Sequence, residues 1–317
     1  MENNWIQFFP EHLSDMLNKT GIHMIDVQEI RLRVGKPLYM SVDGIERYVS
    51  EKRGCVDNIL DAYFPKEKEL EDTLRYMGEY SVYAFEEEIK QGFMTLQGGH
   101  RVGITGKPVI LNGEVKTFQY ITGINFRIAH EVKGAADAVI RTLLWEKGIL
   151  NTLILSPPGY GKTTMLRDLV RQISNGNQDC QGVCVAVVDE RSEIGGSYHG
   201  VPQTDLGMRT DILDACPKAE GMMMLIRAMN PKVVAIDELG GKEDTLALRK
   251  ALRCGIKILA TAHGESIEDL SENPNLRSLI QEQVFERYLI LRKPENGKHD
   301  FIIYNRKLQK ISGTERW

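Results

Sequence analysis

An apolar run that breaks into a glycine- and proline-rich turn, and then into a helical pattern, constrains this chain more than any other feature. The run is Leu153, Ile154 and Leu155, and the turn and its exit occupy residues 156–164. Apolar residues then recur at helical spacing: Met165, Leu166, Leu169, Val170 and Ile173. A buried strand that passes through a tight turn into an amphipathic helix is typical of an alternating α/β fold.

The turn has the composition of a phosphate-binding loop. Such a loop uses glycines so that backbone N–H groups can curl around a phosphate, a lysine for the outer phosphates and a hydroxyl for Mg²⁺. Gly159 and Gly161 suit the first role, Lys162 the second and Thr163 the third. Ser156 departs from the usual pattern by replacing its first glycine, but that position ends the strand instead of touching phosphate. The predicted nucleotide-binding residues are Pro157, Pro158, Gly159, Tyr160, Gly161, Lys162, Thr163 and Thr164.

Polar side chains follow three further apolar runs, at residues 183–188, 232–236 and 256–260. Because helical patterns separate these runs, we predict a largely parallel sheet, in which ligands bind at the carboxyl ends of the strands. The polar residues at those ends are Asp189, Glu190, Glu193, Asp237, Glu238 and His263.

These strand ends suggest distinct catalytic roles. Asp237 has the place of a Walker B aspartate, and we predict that it holds Mg²⁺ together with Thr163. Glu238 is the favoured base for activating water, while Glu190 and Glu193 remain alternatives. His263 is predicted to sense the outer phosphate.

Phosphoryl transfer commonly needs a cation against the charge that develops on the phosphate. Arg101 and Arg127 lie in the N-terminal part of the chain, and Arg191 and Arg209 follow the second strand. An arginine outside the nucleotide-binding fold reaches such a site only from a neighbouring domain or subunit, which suggests an oligomer. A surface ion pair is an equally good interpretation of each arginine.

The remaining pattern predicts two domains. Residues 1–133 predict a smaller α+β domain, with helices over 66–77 and 81–90, hairpin turns at 43–44 and 112–113, and short strands at 101–106, 109–111 and 123–129. Residues 134–317 predict the nucleotide domain, which begins with a helix over about 135–145 and ends in an antiparallel hairpin from 285–291 and 301–304.

Composition excludes several classes of protein. The 317 residues are 42% hydrophobic and carry a formal net charge of −4, which argues against a surface built throughout for nucleic acid. The chain has no apolar run long enough to span a bilayer, no signal-peptide pattern and an odd set of five cysteines. We therefore expect a cytoplasmic protein.

Together, these motifs resemble the stage III sporulation protein AA family of endospore-forming bacteria. The similarity is carried by residues 101–104, 125–129, 157–164, 188–194, 209–224 and 261–264. That family is itself similar to the ATPases of type II and type IV secretion and pilus systems. The resemblance implies a RecA-like domain that hydrolyses ATP with Mg²⁺.

The resemblance also implies an assembly and a location. It implies a homo-hexameric ring in the mother-cell cytoplasm, docked on a membrane-bound channel protein of the same operon. By this similarity residues 189–193 form the acidic box, Glu238 is the Walker B glutamate and His263 belongs to the histidine box, while Arg101 and Arg127 reach the nucleotide. Asp237 departs from the secretion ATPases, which generally have glycine there.

Two other functions remain open from the sequence. The first is a nucleic-acid-stimulated ATPase, which the acidic charge and the scarcity of aromatic residues beside basic ones disfavour. The second is a switch in which nucleotide binding orders the chain without appreciable hydrolysis.

Overall fold

The computed structural model describes residues 5–78, 86–90, 92–145, 148–178, 180–270, 272–292, 300–311 and 315–316. The chain divides into two compact units, Met1–His130 and Glu131–Trp317, called here the N-terminal and C-terminal units. Their junction falls close to the domain boundary predicted at residues 133 and 134.

The N-terminal unit is an antiparallel sheet with helices packed against it, the α+β arrangement that the sequence predicts. Its elements are α1 (Glu11–Asn18), β1 (Val27–Arg33), β2 (Tyr39–Val42), β3 (Ile45–Ser50), β4 (Gly54–Val56), α2 (Glu67–Met77), α3 (Glu86–Lys90), β5 (Phe93–Thr95), β6 (Arg101–Leu111) and β7 (Glu114–Arg127), with 3₁₀ turns at Trp5–Phe8, Met24–Asp26 and Ile59–Asp61. The strand order is β4-β3-β2-β1-β7-β6-β5. Residues 81–85 of the helix predicted over 81–90 lie outside the described part of the chain.

One hairpin of this unit is longer than predicted. Strands β6 and β7 run continuously where the sequence suggested shorter segments. Their register shifts between Thr105 and Gly106, between Gly106 and Lys107, and between Val109 and Ile110. The ladder therefore absorbs the irregular residues as β-bulges instead of ending at them.

The C-terminal unit is built on a mostly parallel eight-stranded sheet, which confirms the predicted fold class. Its elements are β8 (Leu144–Trp145), β9 (Gly148–Ile149), β10 (Thr152–Ser156), α4 (Lys162–Asn175), β11 (Val185–Asp189), β12 (Thr210–Asp214), α5 (Lys218–Met229), β13 (Val233–Ile236), α6 (Lys242–Arg253), β14 (Lys257–His263), α7 (Ile267–Leu270), α8 (Pro274–Gln281), β15 (Arg287–Leu291), β16 (Asp300–Asn305) and β17 (Glu315–Arg316). The order is β12-β11-β13-β14-β10-β15-β16-β17. β15 and β16 pair antiparallel, as predicted for the end of the chain.

Strand β10 lies inside this sheet, paired in parallel with β14 and β15. Leu153 and Leu155 join the apolar cluster on one face of the sheet, and Ile154 joins the cluster on the other, which includes the buried side of α4. Successive side chains of a strand point to opposite faces, so a strand covered on both faces must be apolar throughout. This explains the uninterrupted run on which the sequence argument begins.

The helix predicted over residues 135–145 is wrong. The chain there forms successive turns, a 3₁₀ helix at Ile140–Leu143 and the short pair β8 and β9. The apolar residues at helical spacing are buried all the same: Ala136, Val139, Ile140 and Leu143. The buried carboxylate of Asp168 accepts the backbone N–H of Ala136 at 2.9 Å, a tertiary contact that holds the start of this segment.

We expect Ile154→Ala to lower the free energy of unfolding by about 2–5 kcal/mol, because it removes buried methyl groups and leaves a cavity in the central strand. The measurement is urea unfolding followed by circular dichroism. Leu246→Ala, on the half-exposed surface of α6, is the matched control and should change little. Equal losses in the two variants would contradict this account of the core.

Candidate functional site

The turn between β10 and α4 has a backbone shape that glycine favours. Gly159 and Gly161 have φ angles of 81° and 87°, in the left-handed region that residues with a Cβ rarely adopt. A Cβ at Gly159 would meet no atom within 4 Å, so the backbone angle and not crowding favours glycine there. α4 begins immediately afterwards, at Lys162. The first N–H groups of a helix have no partners within it and favour an anion, so this turn can cradle a phosphate.

The first two residues of α4 connect this turn to neighbouring strand ends. Lys162 is buried, and its burial lowers the pKa of its ammonium, while Asp237, Glu238 and Glu193 oppose that shift. Thr163 donates its hydroxyl to Asp237 Oδ2 at 2.7 Å. The two residues predicted to hold Mg²⁺ are therefore in direct contact.

His263, at the end of β14, links the lysine to a glutamate. Lys162 Nζ lies 3.2 Å from His263 Nδ1, and His263 Nε2 lies 2.9 Å from Glu238 Oε1. An ammonium has only protons to donate, so we assign Nδ1 as the acceptor and place the imidazole proton on Nε2, where it is donated to Glu238. Arg191 lies 2.6 Å from the other carboxylate oxygen of Glu238. Both oxygens of this glutamate are therefore engaged.

Asp237 and Glu238 are held by a residue that the sequence analysis did not single out. Thr261 donates its hydroxyl to Asp237 Oδ1, and its oxygen accepts the backbone N–H of Glu238 at 2.8 Å. Glu238 has a φ of 54°, an unfavourable conformation for a residue with a Cβ. The hydrogen bonds from neighbouring groups fix the turn at the end of β13 despite this strain.

A second buried carboxylate organises the acidic loop after β11. Asp189 Oδ1 accepts the N–H of Glu193 at 2.8 Å, and Oδ2 accepts those of Ile194 and Gly195 at 2.9 and 2.8 Å. Arg167, on α4, donates to the carbonyl oxygens of Glu193 and Ile194 at 2.8 and 2.7 Å. Asp189 is thus a loop-organising residue whose carboxylate is fully occupied.

The two alternative bases lie at the same edge of the sheet. Glu190 forms an ion pair with Lys218 on α5. Glu190, Glu193 and Glu238 line one narrow cleft between the ends of β11 and β13, together with Asp189, Arg191, Lys218 and Asp237. The structure therefore brings the three candidate glutamates together.

The candidate arginines divide into three groups. Arg191 lies at the edge of the cleft, on Glu238. Arg209 donates to the carbonyl oxygens of Ser174 and Asn175 at 3.0 and 3.3 Å, in the last turn of α4 and away from Lys162, which favours a structural role. Arg101 and Arg127 belong to the N-terminal unit, where they face each other across β6 and β7, and the Arg101 guanidinium lies 3.8 Å from the centre of the Phe93 ring.

Sequence reasoning missed Thr261, Arg167 and Lys218. Each acts through a partner that is distant in sequence: Asp237, the loop after β11, and Glu190. Thr261 carried a weak signal, because it lies two residues before His263 at the end of an apolar run. Arg167 and Lys218 resemble ordinary charged residues of helix surfaces.

The residues at the start of α4 fit a bound magnesium ion. Thr163 and Asp237 supply adjacent hard oxygen donors, and Mg²⁺ in nucleotide sites is held by one or two protein ligands together with phosphates and water. Within the described ranges no cluster of three or more His, Cys, Asp or Glu side chains could hold a metal unaided. An ion at Thr163 and Asp237 would depend on a phosphate for part of its coordination.

Comparison with solved structures identifies proteins that share the fold of this chain. The structure matches the ATPase DotB of Legionella pneumophila with a TM-score of 0.60 and 14% identity, covering 98% of this chain and 80% of that one. It matches the pilus retraction motor PilT, solved with bound ADP, with a TM-score of 0.53 and 15% identity, covering 90% and 82%. The chain therefore has the α/β fold of these ATPases, as predicted.

Sequence comparison identifies the family. Residues 2–311 match the model of sporulation stage III, protein AA, and the chain belongs to this family. It is 39% identical over 313 residues to stage III sporulation protein AA of Bacillus subtilis (strain 168), covering 98% of each chain. It is also 33% identical over 162 residues to the uncharacterized protein ycf45 of Porphyra purpurea, covering 50% of this chain and 27% of that protein. The resemblance inferred from the motifs is confirmed.

We expect Asp189 to make the stability of the fold fall as pH rises from about 4 to about 6. Burial, which outweighs its three backbone hydrogen bonds, raises the pKa of Asp189 from 3.8 to about 6. The folded chain then binds this proton more tightly than the unfolded chain, so the contribution of Asp189 to stability is greatest below pH 4 and is lost as pH rises through 6. The expected change is about 3 kcal/mol.

The measurement is the difference in unfolding free energy between the natural chain and Asp189→Asn from pH 4 to pH 7. Taking this difference removes the contributions of all other titrating groups that the substitution leaves unchanged. The stability advantage of Asp189 should shrink as pH rises and level off above 6. A difference that grows with pH would show that the three N–H donors outweigh burial, and a constant difference would show that the two effects cancel; either result would contradict the raised pKa.

Proposed function

We propose that this chain is an ATPase that hydrolyses ATP at the carboxyl edge of the sheet in its C-terminal unit. The observation that carries the proposal is the joint placement of Lys162 and Thr163 at the start of α4, with Asp237 Oδ2 2.7 Å from the Thr163 hydroxyl. A phosphate cradle, a buried cation and a metal-binding oxygen pair meet there. The shared fold with DotB and PilT supports the proposal.

In this proposal each residue of the candidate site has a distinct role in binding ATP and Mg²⁺. Residues 157–164 enclose the phosphates with backbone N–H groups, and Lys162 binds the outer phosphates. Thr163 and Asp237 hold Mg²⁺, which when bound neutralises charge on the phosphate oxygens. His263, already in contact with Lys162, is placed to sense whether the outermost phosphate is present.

We propose Glu238 as the base that accepts the proton of the attacking water. It adjoins the metal ligand Asp237, and its carboxylate lines the cleft. Its oxygens contact His263 and Arg191, so one contact must open before the carboxylate can accept a water proton. Glu190 is held by Lys218, and Asp189 and Arg167 fix the backbone groups of Glu193. These two glutamates remain the competing candidates.

We further propose that the active form is a homo-hexameric ring. Arg101 and Arg127 lie on adjacent strands of the N-terminal unit, and the resemblance to secretion ATPases suggests that they act on a nucleotide across a ring. The same resemblance suggests that the ring powers a secretion-like channel between mother cell and forespore, docked on a membrane-bound protein of the same operon. Within the part of the chain that the structure describes, no helix has the length and apolar character to cross a bilayer.

Lys162→Ala should abolish ATP turnover, because it removes the buried cation from the phosphate cradle. Turnover of the natural chain should rise steeply with protein concentration as rings form, and single-stranded DNA should not change it. The measurement is phosphate release across a concentration series. Lys250→Ala, at an exposed position of α6, is the control and should retain full turnover.

Two other results would redirect the proposal. Turnover that is independent of concentration and raised by DNA would favour a nucleic-acid-stimulated ATPase. Nucleotide binding that needs Lys162 but yields no turnover at any concentration would favour a binding switch.

Glu238→Gln should lower the turnover number by about 10²–10⁴-fold, as expected when a general base is lost. The amide keeps the shape of the side chain, so nucleotide affinity should change little. Glu190→Gln is the matched comparison and should lower turnover far less. Single-turnover hydrolysis and binding of a fluorescent nucleotide separate the two effects. Natural turnover in Glu238→Gln with a loss in Glu190→Gln would transfer the role to Glu190.

A further inference from the structure

The outer half of the β6–β7 hairpin projects beyond the sheet of the N-terminal unit. β5 pairs with β6 only at Arg101–Gly103, and β1 pairs with β7 only at Gly123–Arg127. Within the described ranges, residues 107–120 therefore form a ribbon of two strands with no third strand beside it. A two-stranded ribbon buries little of its own apolar surface.

The end of this ribbon exposes apolar side chains on both of its faces. Ile110 is 63% exposed and Leu111 is 59% exposed, and adjacent residues of a strand point to opposite faces. Tyr120 is 54% exposed further down β7. A protein groove would cover one face of such a ribbon, whereas a lipid surface can receive both faces of its end together.

The edge of β6 is poorly suited to pairing with a strand of another protein. Pro108 lacks an N–H donor, and register shifts on both sides of it disrupt the ladder. These features disfavour a partner that binds through backbone hydrogen bonds. A binding partner would therefore be recognised by the side chains of the ribbon and not by its backbone.

The charge of the ribbon differs from that of a second hairpin in the same unit. Among residues 107–120 the charged side chains are Lys107, Glu114 and Lys116, so the segment is basic in a chain whose net charge is −4. The β2–β3 hairpin also exposes an isoleucine, Ile45, at 55%, but Asp43 and Glu46 flank it. Apolar side chains beside lysines suit an anionic lipid surface, and apolar side chains beside carboxylates do not.

We propose that the outer β6–β7 ribbon binds anionic membrane directly, inserting Ile110 and Leu111 among the acyl chains while Lys107 and Lys116 meet the lipid headgroups. This contact is independent of the proposed ATPase activity. Each copy contributes one such ribbon, and several weak contacts in an assembly reinforce one another.

The test is flotation of the full chain with vesicles of phosphatidylglycerol and phosphatidylethanolamine, compared with vesicles of phosphatidylcholine alone. The natural chain should float only with the anionic vesicles. Ile110→Ser combined with Leu111→Ser should reduce binding at least tenfold. Lys107→Glu combined with Lys116→Glu should also reduce binding more than tenfold, since each lysine near an anionic surface contributes about fivefold.

Ile45→Ser is the matched control, because it removes an equally exposed isoleucine at the tip of the acidic hairpin, and it should float like the natural chain. Thermal unfolding of each variant shows that the fold is intact. The proposal is overturned if the natural chain does not float, if it floats equally with phosphatidylcholine, or if the Ile110 and Leu111 variant still floats. A variant that alters oligomeric state in solution without altering flotation would assign the ribbon to contacts between copies and overturn the lipid proposal.

Discussion

The buried carboxylate of Asp237 holds the candidate site together. It accepts the hydroxyl of Thr163 from the start of α4 and that of Thr261 from β14, and it also contacts the N–H of its neighbour Glu238. An unpaired carboxylate in such a place would cost several kcal/mol, and these donors offset that cost. The same bonds set the distance between the phosphate-binding turn and the candidate base. Stability and site geometry therefore depend on one residue.

The positions of the site residues were predictable because a parallel sheet orders them. An uninterrupted apolar run such as residues 153–155 indicates a strand that is buried on both faces of the sheet. The carboxyl ends of parallel strands lie along one edge of that sheet. It follows from these two rules alone that Lys162, Asp237, Glu238 and His263 lie close together. The rules do not give side-chain contacts. The ion pair of Arg191 with Glu238, and the link from Thr261 to Asp237, depend on side-chain geometry at strand ends that sequence spacing does not encode.

For the fold, too, the sequence predicted the position of residues better than their detailed conformation. Residues 135–145 have apolar spacing typical of a helix, and those side chains are buried, but the backbone forms turns and a short 3₁₀ helix, and the N–H of Ala136 bonds to Asp168. β12 was not predicted from the sequence, because three of its five residues are polar and all five are only partly buried, as expected of a strand at the edge of the sheet. Burial could therefore be predicted more reliably than backbone conformation. The periodicity of apolar residues indicates which side chains face a core. Competing tertiary hydrogen bonds determine the backbone conformation that places them there.

The contacts of Glu238 suggest how the site couples binding to chemistry. If Lys162 binds phosphate as proposed, its ammonium turns away from His263, and His263 Nδ1 loses the donor that it has in this structure. The imidazole that contacts Glu238 is thus the same group that contacts Lys162, the residue proposed to bind the outer phosphates. Because Arg191 neutralises the second oxygen of Glu238, release of the histidine alone frees one oxygen while the other stays anchored. In the proposed mechanism, loss of the His263 contact would free an oxygen of Glu238 only after the phosphates are in place, which would limit hydrolysis to a filled site.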